Sequence, residues 1–414
     1  MQIKIHRGID QIGGCITEIA TSKSRILIDL GMNLPDSNGK SNDDLANSTS
    51  IKELTQGVDA VFYTHYHGDH VGLMEYVPND VEQYIGDIAK KVLKIKAKYL
   101  KQDPALLESL KTFVKQQRIE INGGDIVVTP YFVSHSAADS FMFLIKSDGK
   151  RILHSGDFRD HGYLGKGLFQ FVPKHIGEVD VLITEGTMLS RSSDIVKSEY
   201  QLQQELKEYM QKHKYIFVIG SSTDIDRLAT LHKANPKERL FVCDRYQKDI
   251  LDIFTANGGE YSSLYKFGDL SIFPKDKLLN EMLSKGFCMM VRPNQFTMGK
   301  YWKFTQMTLN LIPKDKRVVI YSMWGGYLDR ECVKNKYHVG FIEKFEKREH
   351  RVHTSGHASA ECLAELCSIT NPRIAIIPIH SERSADYLNL PISDELKSKV
   401  TLKSKTINGI SIII

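Results

Sequence analysis

No CxxC pair occurs in this sequence: its six cysteines, at 15, 243, 288, 332, 362 and 367, are scattered. That spacing argues against a disulfide framework and fits reduced, mostly buried thiols in a cytoplasmic protein. No apolar run approaches the length of a membrane span. The opening residues, Met1-Gln2-Ile3-Lys4-Ile5-His6, lack the apolar stretch of a signal peptide, so neither membrane association nor secretion is expected. Internal repeats and low-complexity segments are also missing, which excludes solenoids and linker-rich chains. Net charge is small, at +5, so total charge alone decides little about partners.

What is present is an ordinary globular composition, 42% hydrophobic and 25% charged, in a chain of 414 residues. Such a chain can bury one large core or two moderate ones, and disorder is excluded. The charge is unevenly spread. Residues 196–345 hold 24 Lys+Arg against 17 Asp+Glu, leaving the remainder slightly acidic. A basic module beside an acidic one points to a polyanionic partner, the alternative being a solvated basic face.

The first ~190 residues read as short buried strands joined by turns. Candidates are Arg25–Leu30, Val58–Tyr63, Asp125–Val133, Phe141–Ile145, Arg151–His154 and Val179–Thr184. From about residue 196 strands and helices alternate. Glu199–Lys214 has helical periodicity, Tyr215–Gly220 is an apolar strand, and Ser221-Ser222-Thr223-Asp224 is a plausible helix cap. Arg239–Asp244 followed by Tyr246–Ala256 repeats the pattern, with further strands at Phe287–Val291 and Arg317–Ser322. This alternation predicts a parallel sheet covered by helices. After Glu349 the pattern of the first ~190 residues returns, with a helix over Ala358–Ile369 and strands at Arg373–Ile379 and Gly409–Ile414.

Polar residues gather just after several of the N-terminal strands. Thr64-His65-Tyr66-His67-Gly68-Asp69-His70 places four potential ligands within six residues, directly after an apolar strand. Imidazole suits zinc, and a carboxylate offers a harder ligand for a second cation. Gly68 is expected to permit the sharp turn that aims Asp69 and His70 at a neighbouring metal. The bland alternative is four polar residues sharing a solvent loop. His135, after the strand reaching Val133, and Asp157, in His154-Ser155-Gly156-Asp157, follow at strand ends. Either alone would more often be structural; beside the His65 run both become ligand candidates, with Asp157 the obvious bridge in a dinuclear site.

The order His-x-His-x-Asp-His, then a His, then an Asp, resembles the metallo-β-lactamase superfamily over residues 1–190. The resemblance implies an αββα sandwich in which His65, His67 and His135 hold one metal. Asp69, His70 and a late His hold the other, and Asp157 bridges them. Asp29, in Leu27-Ile28-Asp29-Leu30-Gly31, looks like the family's supporting aspartate behind the ligands. No His suitable to close the site follows soon after Asp157, whereas His380 directly follows the apolar run Ile374–Ile379. That delay is explained if residues 196–345 are an inserted domain. The expected division is therefore 1–195 and 346–414 for the metallo-β-lactamase domain, with an inserted α/β domain between them.

This arrangement resembles the β-CASP nucleases, and among them the ribonuclease J family. Glu185 in Thr184-Glu185-Gly186-Thr187 fits the acidic first motif of those nucleases. His357 in Ser355-Gly356-His357-Ala358 fits the second and His380 the third, and Ser134-His135-Ser136-Ala137-Ala138-Asp139-Ser140 matches as well. Ala138 stands where that family usually has proline, and Ser381 where it usually has glycine; neither removes a ligand. The chain ends some thirty residues after His380, so the family's C-terminal domain is expected to be missing.

The resemblance implies a metal-dependent ribonuclease, acting as exo- and/or endonuclease, with two zinc ions or manganese in their place. Single-stranded RNA is the expected substrate, with DNA as the alternative and a homodimer the one assembly considered. Two cations lower the pKa of water and stabilise charge on a phosphodiester, with Asp69, Glu185 and His357 as catalytic candidates. His353, Ser355 and His357, ahead of the predicted helix, offer a phosphate pocket at free N–H groups, unless Ser355 merely caps it. From Met282 to Lys314 there is no acidic residue. Arg292, Lys300 and Lys303 there, among Phe287, Phe296, Tyr301, Trp302 and Phe304, are candidate strand contacts, the alternative being that the rings are core. Two rivals stand against this reading: a small-substrate metallo-hydrolase of thioesterase or phosphodiesterase type, and a non-catalytic RNA-binding scaffold.

Overall fold

The computed structural model describes residues 1–35, 43–191, 196–257, 263–293, 299–329, 333–349, 352–402 and 410–414. It divides into two compact units. The first comprises Met1–Leu34, Ser41–Val196 and Gly356–Ile414, and the second comprises Lys197–Ser355.

Two sheets face each other in the first unit. One has seven strands in the order Ile410–Ile413, Gln2–Arg7, Ile16–Ala20, Arg25–Ile28, Ala60–Phe62, Glu82–Gly86 and Lys111–Phe113. The first four run antiparallel, and from Arg25–Ile28 onward the neighbours are parallel. The other has six strands in the order Ala375–Ile379, Val181–Glu185, Lys150–His154, Ser140–Ser147, Ile126–Val133 and Ile119–Ile121. Alternate residues explain the sandwich. Ile3, Ile5, Ile26, Ile28 and Phe62 from the first sheet meet Phe143, Ile145, Ile152, Ile183 and Ile377 from the second in one core.

Intervening residues serve the outer faces. Leu144, Leu153, Leu182 and Ile376 pack with Leu168 and Val172 of the helix Leu168–His175 and with Leu363, Leu366 and Cys367 of the helix Ala360–Thr370. On the first sheet Leu27 and Val61 are also fully buried, as expected of a parallel strand covered on both faces. The helix Asp87–Leu100 buries Ala89, Val92, Leu93 and Ala97. Helices thus lie outside both sheets, giving the αββα sandwich.

The second unit is built on six parallel strands in the order Leu270–Phe273, Leu240–Asp244, Phe287–Val291, Tyr215–Gly220, Arg317–Ser322 and Lys347–Glu349. Parallel neighbours need crossovers, and the helices Ile225–Ala234, Arg245–Asn257, Leu278–Lys285 and Lys300–Leu311 supply them. Asp224 caps the first of these, its side chain accepting from the Arg227 N–H. Lys347–Glu349, expected in the closing part of the sandwich, adds a strand to this unit beside Arg317–Ser322.

The acid-free stretch resolves largely into structure. Phe287 and Phe304 belong to the core of this unit, with Tyr301 and Trp302 packed against it; the Tyr301 hydroxyl donates to the Met290 carbonyl at 2.8 Å. These rings cover the sheet. Arg292 is not a free cation, since it pairs with Asp244 and lies 5.0 Å from the Tyr246 ring centroid. Lys300 and Lys303 are exposed. Phe296 lies outside the described residues. Among the described residues no helix is long and apolar enough to cross a membrane.

Candidate metal centre

The ligand candidates converge because several strands end at the same edge. Ala375–Ile379, Val181–Glu185 and Lys150–His154 are adjacent and parallel, so His380, Thr187 and Asp157 follow their ends side by side. Ile126–Val133 runs the same way, two antiparallel steps further on, and delivers His135. On the facing sheet the parallel strands Arg25–Ile28 and Ala60–Phe62 lead into Asp29 and into the His65 run. Residues distant in sequence thus meet at one rim.

Turn geometry there differs from expectation. Gly68 opens a one-turn helix, Gly68–Val71, and does not adopt the left-handed region. The non-glycine residues forced there are Asp29, at φ 61°, and His380, at φ 50°. Such conformations cost about 1–3 kcal/mol and persist only where the surroundings over-determine them. Asp29 explains its own case. Its carboxylate accepts from the Thr64 N–H at 2.8 Å, from the Thr64 hydroxyl at 2.9 Å and from His70 Nδ1 at 2.8 Å. Gly31 is required for a different reason: a Cβ on it would sit 1.7 Å from the Asp69 carbonyl oxygen.

Hydrogen bonds on the far side of each ring fix which nitrogen faces inward. Asp29 can only accept, so His70 Nδ1 carries a proton and Nε2 presents its lone pair. That Nε2 is buried and faces Asp157 Oδ2 at 3.1 Å. The Thr64 hydroxyl gives its proton to Asp29 and can therefore accept from His65 Nδ1, 3.1 Å away. His135 Nδ1 donates to the Gly356 carbonyl at 2.6 Å. The remaining atoms close on one another: His65 Nε2 lies 3.1 Å from His67 Nδ1, which lies 3.3 Å from His135 Nε2. His65 and His135 thus turn Nε2 lone pairs toward His67 Nδ1, an arrangement that a cation among the three would satisfy.

Beside that trio stands an acidic half. His380 Nε2 is 3.3 Å from Asp69 Oδ2, and His70 Nε2 is 3.1 Å from Asp157 Oδ2. Asp157 Oδ2 sits between the halves. It lies 3.9 Å from both His65 and His135, 3.6 Å from His380 and 3.7 Å from His357. Five imidazoles therefore surround one buried oxygen.

Electrostatics separate the two halves. Burial, reinforced by neighbouring imidazoles, holds His65 well below the ordinary range, and burial takes His67 down to about 4. His135 is lowered by burial and by His357. These rings keep their lone pairs. At His70 burial acts in the same direction, but Asp157 and Asp29 overcome it and raise the pKa well above its usual value. His380 is likewise raised, with Asp157 and Asp69 outweighing burial. Burial pushes Asp157 up, yet His380, His70 and His357 hold it well below the carboxylate range.

Glu185 is the last residue of its strand and fully buried. Its carboxylate accepts from His357 Nδ1 at 2.9 Å, the Phe158 N–H at 3.0 Å, the Ala358 N–H at 3.3 Å and the Thr187 N–H at 3.4 Å. An acceptor-only partner means that His357 Nδ1 is protonated, leaving Nε2 for other contacts. The His357 side chain is 18% exposed while Asp157 is 3% exposed, so His357 is the more open of the two. Thr187, which sequence reading misses, ties His357 to the centre: its hydroxyl lies 2.7 Å from His380 Nδ1 and 3.2 Å from His357 Nδ1.

The expected phosphate pocket is altered. The helix begins at Ala360, and Ser359, not Ser355, caps it by accepting from the Cys362 N–H. The Ala358 N–H is taken by Glu185. His353 and Ser355 fall in the second unit, whereas Gly356 and His357 fall in the first. Sequence reading also misses Cys15: its thiol lies with His70 and His380 in a buried group whose donor atoms are all within 4.8 Å of one another. No local signal could have found it, since its neighbours are remote in sequence.

Comparison with known proteins agrees with this geometry. Residues 24–218 match the beta-lactamase superfamily domain, and residues 347–401 match the Zn-dependent metallo-hydrolase RNA specificity domain. The chain is 23% identical over 396 residues to Ribonuclease J of Helicobacter pylori, covering 91% of this chain and 55% of that protein. It is 28% identical over 217 residues to an RNase J-like protein of Methanocaldococcus jannaschii, covering 50% and 47% of the two chains. This chain thus spans about half the length of the curated relatives it matches. A solved structure of a protein of unknown function from Enterococcus faecalis superimposes with a TM-score of 0.74 at 20% identity, over 100% of this chain and 99% of that one.

Proposed function

Since the chain is a ribonuclease J-like protein of the metallo-β-lactamase and β-CASP kind, we propose that it hydrolyses phosphodiester bonds of single-stranded RNA. Two divalent cations, zinc in the first instance, serve the reaction. The observation that carries this reading is the position of Asp157 Oδ2, within 4.0 Å of five imidazoles: His65 and His135 from one donor group, His70 and His380 from the other, and His357 beside them.

His65, His67 and His135 would hold one cation, Asp69, His70 and His380 the other, and Asp157 both. The donors fit: His65 Nε2 and His135 Nε2 face His67 Nδ1 at 3.1 and 3.3 Å, and His70 Nε2 faces Asp157 Oδ2 at 3.1 Å, so that cations would satisfy all of them. Bound there, two cations lower the pKa of water and neutralise charge developing on a phosphodiester. The chain's own residues do the rest. Asp29, Thr64 and the Gly356 carbonyl hold His70, His65 and His135 in the tautomers that face inward. Thr187 does the same for His380. Glu185 fixes the proton of His357 on Nδ1, so that Nε2 can contact a phosphate oxygen or a leaving oxygen. The five cysteines among the described residues are free and buried, which supports a reducing, cytoplasmic setting.

The test offers the purified, metal-loaded protein a labelled single-stranded RNA, the matching DNA, a simple phosphodiester and a thioester. RNA cleavage that a chelator abolishes and zinc or manganese restores is the expected result. Hydrolysis of the thioester with RNA left intact would overturn the proposal.

A further inference from the structure

Behind the acidic half of the centre lies an ion pair that offers no donor to either cation. Arg7 ends the strand Gln2–Arg7, and its guanidinium reaches two loops and a carboxylate. Nε donates to the Gly14 carbonyl at 2.8 Å, and Nη2 donates to the Gly31 carbonyl. Nη1 and Nη2 also grip the two oxygens of the buried Asp43, at 2.7 and 3.2 Å. Asp43 in turn accepts from the Asn33 N–H at 2.7 Å and the Leu45 N–H at 3.0 Å. Burial pushes the Asp43 carboxyl up, but Arg7 and these backbone donors hold it below the usual carboxylate range. Both partners are therefore charged at neutral pH, and the two-pronged contact fixes their geometry as well as their energy.

The segments tied in this way are the ones on which Asp69, His70 and His380 rest. A Cβ on Gly31 would lie 1.7 Å from the Asp69 carbonyl oxygen, and one on Gly13 would lie 2.9 Å from Asp69 Oδ2. The same Asp69 carbonyl accepts from the Cys15 N–H, next to Gly14, at 3.3 Å. On either side of Gly31, the Leu30 N–H donates to the His70 carbonyl at 2.9 Å and the Met32 N–H to the Gly68 carbonyl at 3.0 Å. Gly8, the residue after Arg7, accepts from the His380 N–H. The other half is held from elsewhere, His65 through Thr64 and Asp29, and His135 through the Gly356 carbonyl.

We propose that the Arg7–Asp43 pair positions the ligands of one cation alone, the one held by Asp69, His70 and His380, so that this half of the centre fills only while the pair is intact. The inference rests on the dinuclear reading of the site. Ligands must be held to within about 0.5 Å to bind an ion well. Asp69 meets the Gly13 and Gly31 backbone in direct contact, so any shift of those loops moves it. Without the guanidinium, the Gly14 and Gly31 carbonyls lose the group that joins them. Arg7 and Asp43 are thus positioning residues, acting through backbone and touching neither metal nor substrate.

Zinc titration of the stripped full chain against a chromophoric chelator tests this without relying on activity. Two backgrounds separate the halves: His67→Ala leaves the ion of the acidic half, and His380→Ala leaves the ion of the trio. Arg7→Gln should weaken zinc binding about 10–100-fold in the His67→Ala background, the usual cost of losing support behind a ligand. In the His380→Ala background it should leave zinc binding nearly unchanged. A merely structural role would weaken both halves alike. Asp43→Asn, the same size without the charge, should show the same selectivity, and it decides the matter should Arg7→Gln fail to fold. Equal weakening in both backgrounds, weakening of the trio alone, or none in either overturns the role of the pair and leaves the dinuclear reading standing. A wild-type chain that binds fewer than two zinc ions overturns the dinuclear reading and this inference with it.

Discussion

Glu185→Gln should cripple the reaction while leaving the fold and the metals in place, because of how the four donors are arranged around the carboxylate. One oxygen accepts from the Phe158 and Ala358 N–H groups, the other from His357 Nδ1 and the Thr187 N–H. Glutamine has the same shape but one end is a donor. Turning its amide nitrogen toward Phe158 and Ala358 would oppose two fixed backbone donors. The lower-cost orientation points it at His357 and opposes one backbone donor, the more distant Thr187 N–H, and His357 Nδ1 must then give up its proton and accept. The proton moves to Nε2, the nitrogen that meets the substrate in the proposed reaction. A general acid–base contribution is worth about 10²–10⁴-fold, so kcat should fall within that range. The lost charge-assisted hydrogen bond costs about 1.5–3 kcal/mol of stability, which circular dichroism melts will detect without global unfolding. KM for RNA and the metal content should stay within about threefold, since Glu185 is not among the six residues outside the bridge that would hold the cations. The assay is single-turnover cleavage of a labelled RNA, run beside nitrogen-15 NMR of the histidine side chains. Near-wild-type turnover with the His357 proton shifted to Nε2 would refute the idea that its location matters.

Other consequences can be checked as directly. Asp29→Ala removes the acceptor that fixes both Thr64 and His70; metal affinity should drop about 10–100-fold, read by chelator competition. Glu18, paired with His6 and Arg25 at 2.7 Å, has its pKa lowered to about 2 from 4.5 because those two hydrogen bonds outweigh burial. Its folded pKa is depressed, so its contribution is present above pH 4.5 and is lost as pH falls through about 2. Urea unfolding of Glu18→Gln should therefore show a deficit of at most about 3 kcal/mol at pH 7 that vanishes near pH 2. For the exposed Lys300 and Lys303, a double alanine variant should shallow the log K versus log[salt] slope for single-stranded RNA by about 1.4 if both touch phosphates. An unchanged slope would place the strand elsewhere.

Much of this architecture was legible because burial leaves a local mark. Strands such as Phe287–Val291 and Tyr215–Gly220 are continuous apolar runs, and their structural bounds coincide with the apolar runs. The ligand candidates follow strand ends, which a reader of the sequence can see. His380 stands out only when one asks which late His follows an apolar run. What escapes is whatever depends on partners distant in the chain. Asp29 is bent into the left-handed region by Thr64 and His70, not by any neighbour. Lys347–Glu349 joins the second sheet through pairing with Arg317–Ser322, which moves the boundary. Aromatics on an acid-free helix read equally as a nucleic-acid face or as core, and only the burial of Phe304 distinguishes them. Thr187 and Cys15 carry no motif of their own; each matters because of the histidines it meets.

The central claim is that Asp157 joins two cations in one catalytic centre, and the most direct measurement counts metal in the wild-type chain and in Asp157→Ala by elemental analysis, with RNA cleavage on the same samples. The account predicts two transition-metal ions per wild-type chain, fewer than two in the variant, and loss of cleavage with them. Wild-type protein that cleaves RNA with no metal bound, or Asp157→Ala that keeps both ions and full turnover, would contradict it.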